Sequence, residues 1–103
     1  MSNWIDVKKQ QDFPVNTREV IDLDYTTVIV FNIENEYYAI DHLCTHADFG
    51  LEDAECENGI ITCPFHGAKF CIKSGKVLAP PAFENIATFK VRIHEGMVQV
   101  LSD

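Results

Sequence analysis

Cys44-Thr45-His46 and Cys63-Pro64-Phe65-His66 are the residues whose types and spacing could do chemistry. Sixteen residues separate the two clusters, and each supplies one thiolate and one imidazole. A small protein seldom holds such a four-ligand set without a metal. The grouping differs from that of a Cys₂His₂ zinc finger, where the two Cys form one pair and the two His another. Mixed pairs on two loops suit a two-iron, two-sulfide cluster, with Cys44 and Cys63 on an inner iron and His46 and His66 on an outer one.

The charge of such a centre sets its chemistry. Two ferric ions and two sulfides sum to +2, and two thiolates bring the cluster to zero while the imidazoles stay neutral. Four thiolates would leave it at −2, so the mixed set accepts an electron more readily. Each imidazole ligates through one ring nitrogen and turns the other toward solvent or partner. That outer edge is the natural exit for an electron, and its N–H groups link redox state to protonation. Gly67, directly after His66, is expected to let the backbone approach the cluster. Pro64 offers no N–H, so amides bonding to cluster sulfur must come from its neighbours.

Short strands must position these pairs. Ile86 to Ile93 alternates, with Ala87, Phe89, Val91 and Ile93 on one face. Glu95-Gly96 then turns the chain into a strand from Met97 to Leu101. An earlier hairpin runs from Thr26 to Ile33, turns at Glu34-Asn35-Glu36 and returns through Tyr37 to Asp41. Asn58-Gly59 is a type I′ turn signal, and Ile60-Ile61-Thr62 leads from it into Cys63. Ser74-Gly75 turns between Phe70-Cys71-Ile72 and Lys76-Val77-Leu78. Leu51 to Cys56 could hold a turn or two of helix at most. The expected fold is all-β, a small antiparallel sandwich or barrel. Residues 1–103 form one domain, with a ligand-bearing subdomain at about 42–81 inserted between base segments 1–41 and 82–103.

Length and composition agree with that frame. A chain of 103 residues, 47% hydrophobic, has the material for one core. Its longest apolar runs are as short as Val28-Ile29-Val30-Phe31, far from the roughly 20 residues of a membrane-spanning helix. Met1 to Asp6 carries no signal-peptide pattern, so a cytoplasmic protein is expected. The formal net charge of −8 argues against nucleic acid as a partner. Asp48, Glu52, Asp53, Glu55 and Glu57 form an acidic run with no Lys or Arg among them. It reads either as a solvated loop or as a docking face for a basic partner.

The remaining candidates read as structural. Cys56 and Cys71 are expected to be incidental, with Glu55 and Glu57 raising the pKa of Cys56. His42 is read as a loop residue near the site rather than a third ligand, and His94 as exposed. Trp4, Tyr25, Tyr37 and Tyr38 are read as packing residues. Phe49 and Phe65 either shield the cluster or form an apolar docking rim around His46 and His66.

Cys-X-His, sixteen residues and Cys-X-X-His-Gly together resemble the Rieske family, and the resemblance runs from Trp4 to Val100. Lys69 to Val77 and the Ala79-Pro80-Pro81 loop look like that family's turn and proline loop. The chain is most similar to the small Rieske-type ferredoxins of bacterial aromatic-ring-hydroxylating dioxygenase systems. The resemblance implies a monomeric one-electron carrier, not an enzyme, with one 2Fe-2S cluster. It also implies a flavin-dependent ferredoxin reductase as donor and a terminal Rieske oxygenase as acceptor.

Quinol-oxidising relatives carry two bridged Cys where this chain has Phe49 and Phe65, and Ser and Tyr hydroxyls where it has Ala68 and Phe70. Without those hydroxyls the potential should fall near the low end of the Rieske range of roughly −150 to +300 mV. A zinc site, a cluster-free homologue, a permanent oxidoreductase subunit and a redox sensor are the competing readings. The ligand grouping disfavours the first, and the presence of all four ligands disfavours the second.

Overall fold

The computed structural model describes residues 3–44, 50–64, 67–80, 82 and 84–102. Among the described residues, eleven strands form three antiparallel sheets. The central sheet joins β2 (Arg18–Asp22), β3 (Thr27–Ile33), β4 (Glu36–Asp41) and β9 (Thr88–Phe89), in that order. A second sheet places β11 (Met97–Leu101) between β1 (Trp4–Lys9) and β10 (Val91–His94). The third is a meander of β5 (Glu55–Glu57), β6 (Ile60–Thr62), β7 (Lys69–Cys71) and β8 (Val77–Ala79). The all-β expectation holds in its sandwich form; no closed barrel is seen among the described residues.

Side-chain alternation along β3 explains the layering. Ile29 and Phe31 point into one core, with Ile40, Leu51, Ile61, Phe70 and Ile72. Val28 and Val30 point into another, with Phe13, Ala39, Val98 and Val100. The central sheet thus shares one face with the β5–β8 meander and the other with β11, and β3 is buried on both faces. Asn32 is buried too, and its polar groups are matched: Nδ2 donates to the Phe13 carbonyl at 2.7 Å, and Oδ1 accepts from the Asn35 amide at 2.8 Å.

The turns follow their residues. Glu34 and Asn35 both have positive φ (53° and 67°), as do Asn58 and Gly59 (53° and 76°), which gives two-residue hairpins whose twist matches the strands. Glu36 consequently belongs to β4, opposite Ile33, and not to the turn. At Gly75 (φ 74°) the amide donates to Cys71 O and the carbonyl accepts from Ile86 N, and a Cβ there would collide with the Ile86 carbonyl oxygen. This contact fastens the β7–β8 turn to the base.

Two expectations need correction. The run from Ile86 to Ile93 is not one strand. It breaks at Lys90, so that Thr88–Phe89 pairs with β4 and Val91–His94 pairs with β11. The four residues expected on one face do not share an environment: Ala87 is exposed, as is Ile93 at 45%, while Phe89 and Val91 are half-buried. Leu51 to Cys56 holds a single turn, within the turn or two expected, closed by Ala54 N to Leu51 O at 3.1 Å before β5 begins at Glu55. Tyr25 is 58% exposed and does not pack as expected. Tyr37 does, with its ring 5.4 Å from that of Phe13, and Tyr38 lies against the meander-side core.

Candidate metal centre

Two loops carry the cysteines. The first leaves β4 at His42, whose amide donates to Thr27 O at 3.0 Å. His42 O accepts from Leu51 N at 2.8 Å, and an isolated bridge pairs Leu43 with Gly50, so the loop is closed at its base like a hairpin. Asp41 Oδ1 caps the turn by accepting from Leu43 N. The second loop joins β6 to β7. Cys63 N donates to Ala68 O at 2.7 Å, and Gly67 N donates to Cys63 O at 3.1 Å.

Cys44 is 3% exposed and Cys63 is fully buried, and both belong to one core with Ala68, Phe70, Leu51 and Ile61. Folding therefore brings together two sulfurs that the chain separates by eighteen residues. His46 and His66, the expected partners on the outer iron, lie outside the described residues. So do Phe49, Phe65, Asp48 and Pro81. Gly67 adopts φ 75°, so a turn that favours glycine accounts for it directly.

The residues present fit a two-iron cluster. Two sulfur donors sit at the roots of adjacent loops, inside an apolar core where thiolates need a cation to offset their burial. Ala68 and Phe70 are fully buried and bring no hydroxyl to that core.

Sequence reasoning missed the groups that brace the first loop. Arg18 of β2 donates from Nη1 to the carbonyls of Leu51 and Glu52, both at 3.2 Å, while its guanidinium lies 5.1 Å from the Phe31 ring centroid. His42 Nε2 pairs with Glu52 Oε2, as expected of a loop residue beside the site. The acidic run thus has a cation near it, from 33 residues upstream, and no local pattern announces that contact. The Cys56 pKa is raised as expected, but through burial, with Arg18 opposing it; the flanking glutamates are not the cause. The Cys71 pKa is lowered, chiefly by a hydrogen bond from the Ser74 side chain.

Comparison with known proteins gives a consistent picture. The family model of the Rieske 2Fe-2S domain matches residues 3–90. The chain is 32% identical, over 95% of its length and 94% of the relative's, to the ferredoxin component of the naphthalene 1,2-dioxygenase/salicylate 5-hydroxylase systems of a Ralstonia species. It is 35% identical to the 3-phenylpropionate/cinnamic acid dioxygenase ferredoxin subunit of Escherichia coli K12, over 76% of each chain. Among solved structures, a chain in the complex of reduced oxygenase and oxidised ferredoxin of carbazole 1,9a-dioxygenase superposes with a TM-score of 0.91. That match has 26% identity and covers 97% of this chain and 94% of the other. The two sequence relatives are ferredoxin components, not catalytic subunits.

Proposed function

Because this chain belongs to the Rieske 2Fe-2S domain family, we propose that it carries single electrons from a flavin-dependent reductase to a terminal aromatic-ring oxygenase. The observation that carries this reading is the burial of Cys44 and Cys63 in one core, at the roots of the two motif loops. When bound, the cluster supplies reversible one-electron chemistry at a potential set by its ligands and surroundings.

The protein's own residues divide the work. Cys44 and Cys63 would hold one iron from within the core, and His46 and His66 the other. Leu51, Ile61, Phe70 and Ile72 keep water from the sulfur side, and the absence of hydroxyls at Ala68 and Phe70 favours a low potential. Arg18 and the His42–Glu52 pair keep the first loop in place. The oxygenase assignment draws on the carbazole complex, in which a chain of this fold accompanies its oxygenase. We read the protein as a monomer, and as cytoplasmic because Cys56 and Cys71 are free thiols, which fits a reducing compartment.

The test is electron paramagnetic resonance of the dithionite-reduced holoprotein, followed by rapid mixing with a reduced flavin reductase and then with an oxygenase. A low average g-value and fast transfer in both steps are expected. Zinc in place of iron, or the spectrum of an all-cysteine cluster, would overturn the ligand set; a correct spectrum with no transfer would overturn the carrier role.

A further inference from the structure

The chain opens where it leaves the central sheet for its neighbour. β9 pairs with β4 only at Ala39–Phe89 and Ile40–Thr88, and after Lys90 it turns away to pair with β11. The first half of β4 therefore has no ladder partner on its outer edge among the described residues, although β10 runs close by, and a groove of about 520 Å³ opens beside the β9–β10 junction.

Its lining is unusual for this chain. Trp4, Tyr37, Tyr38 and Phe89 are among the lining residues, together with Lys73 and Lys90. No Asp or Glu is among the described lining residues, although the chain has 16 acids against 8 lysines and arginines. Lys73 is placed by contact as well as by sequence: its Nζ lies 5.5 Å from the Tyr38 ring centroid. Arg92, lining the adjoining depression, stacks 4.2 Å from Trp4 and is held by Gln99 Oε1 at 2.8 Å. Glu36, on the rim of that depression, reaches Lys73 only at 4.0 Å.

We propose that this groove binds a small aromatic carboxylate, its ring against Trp4 and Tyr38 and its carboxylate between Lys73 and Lys90. Aromatic faces supply area with defined geometry, and two ammonium groups supply the countercharge that the rest of a chain of net charge −8 denies an anion. A phosphate ligand fits less well, since no glycine lines the groove to bring backbone amides onto it. Lys73 stands in the β7–β8 turn, whereas Trp4, Phe89 and Lys90 belong to the other two sheets or their junction. An occupant would therefore fasten the meander to the base.

Trp4 is the single tryptophan, so its fluorescence reports on the groove. Titrating the holoprotein with benzoate and with phenylacetate should give a saturable change at millimolar concentrations or below. Amide shifts should move in both the β7–β8 turn and the β9–β10 junction. Benzyl alcohol, which keeps the ring but not the charge, should bind at least about tenfold more weakly, as should benzoate to the Lys73→Glu, Lys90→Glu double variant. The variant's unchanged melting temperature and visible spectrum would show that it is folded. Equal binding of benzyl alcohol, tighter binding of adenosine monophosphate than of either carboxylate, or no saturable change by either method would overturn the proposal.

Discussion

The two faces of the central sheet have been given opposite tasks. On one, β3 meets β11 through Phe13, Val28, Val30, Val98 and Val100, on strands five to seven residues long. On the other, the same strand meets a meander whose four strands have three residues each, and the core there includes Cys44 and Cys63. The first face is completed by side chains alone. The second is built from strands too short to be stable by themselves, joined by loops that end in donor atoms, so what it binds becomes part of what holds it. A carrier benefits from that split: the base keeps its shape while the loops are free to serve the electron.

The largest expected effect breaks one face and spares the other. Cys63→Ser should abolish iron binding, and hydrogen exchange should show β5–β8 amides losing protection while β3 and β4 keep theirs. Uniform loss across the chain would mean that the two faces are one cooperative unit. Truncating the base tests the converse. Phe13→Ala should lower global stability by about 3–5 kcal/mol. Ile61→Ala, on the meander side, should show itself first as faster bleaching of the visible absorbance on mild heating.

Gly75→Ala probes the fastening between the regions. Its positive φ and the Ile86 carbonyl both oppose a side chain, so a loss of about 1–3 kcal/mol is expected by denaturant titration. Ala68→Ser places a hydroxyl in the meander-side core. Protein-film voltammetry should show a midpoint raised by about 60 mV, equivalent to one charge-assisted hydrogen bond of about 1.4 kcal/mol. An unchanged or lower value would reject the hydroxyl argument for a low potential.

The smallest effect separates the two remaining thiols. Burial raises the pKa of Cys56, and Ser74 lowers that of Cys71. Thiolate therefore forms at lower pH on Cys71, and iodoacetamide followed by mass spectrometry should label it first as pH rises from neutral. The reverse order would contradict the assigned surroundings.

Much of this was legible where backbone chemistry is local. Asn58-Gly59, Ser74-Gly75 and Glu95-Gly96 marked their turns because each glycine accepts positive φ at no steric cost. The two cysteines stood out by spacing. What was not legible depended on distance. β1 and β2 carry Asp6, Lys8, Lys9, Arg18 and Glu19 among their apolar residues, and the Lys8–Glu19 pair at 2.9 Å that links them spans eleven residues. Alternation from Ala87 to Ile93 gave no hint of a break at Lys90, because a strand that changes sheets can keep its period while changing its partner. Arg18 was invisible as a brace for the same reason: its acceptors are backbone carbonyls, which no side-chain pattern records.

The β2–β3–β4 meander ends at Asp41, three residues before Cys44. A ribosome therefore makes three of the four strands of the central sheet before either sulfur donor, and the tight Glu34–Asn35 hairpin lets those strands begin to pair from neighbouring residues alone.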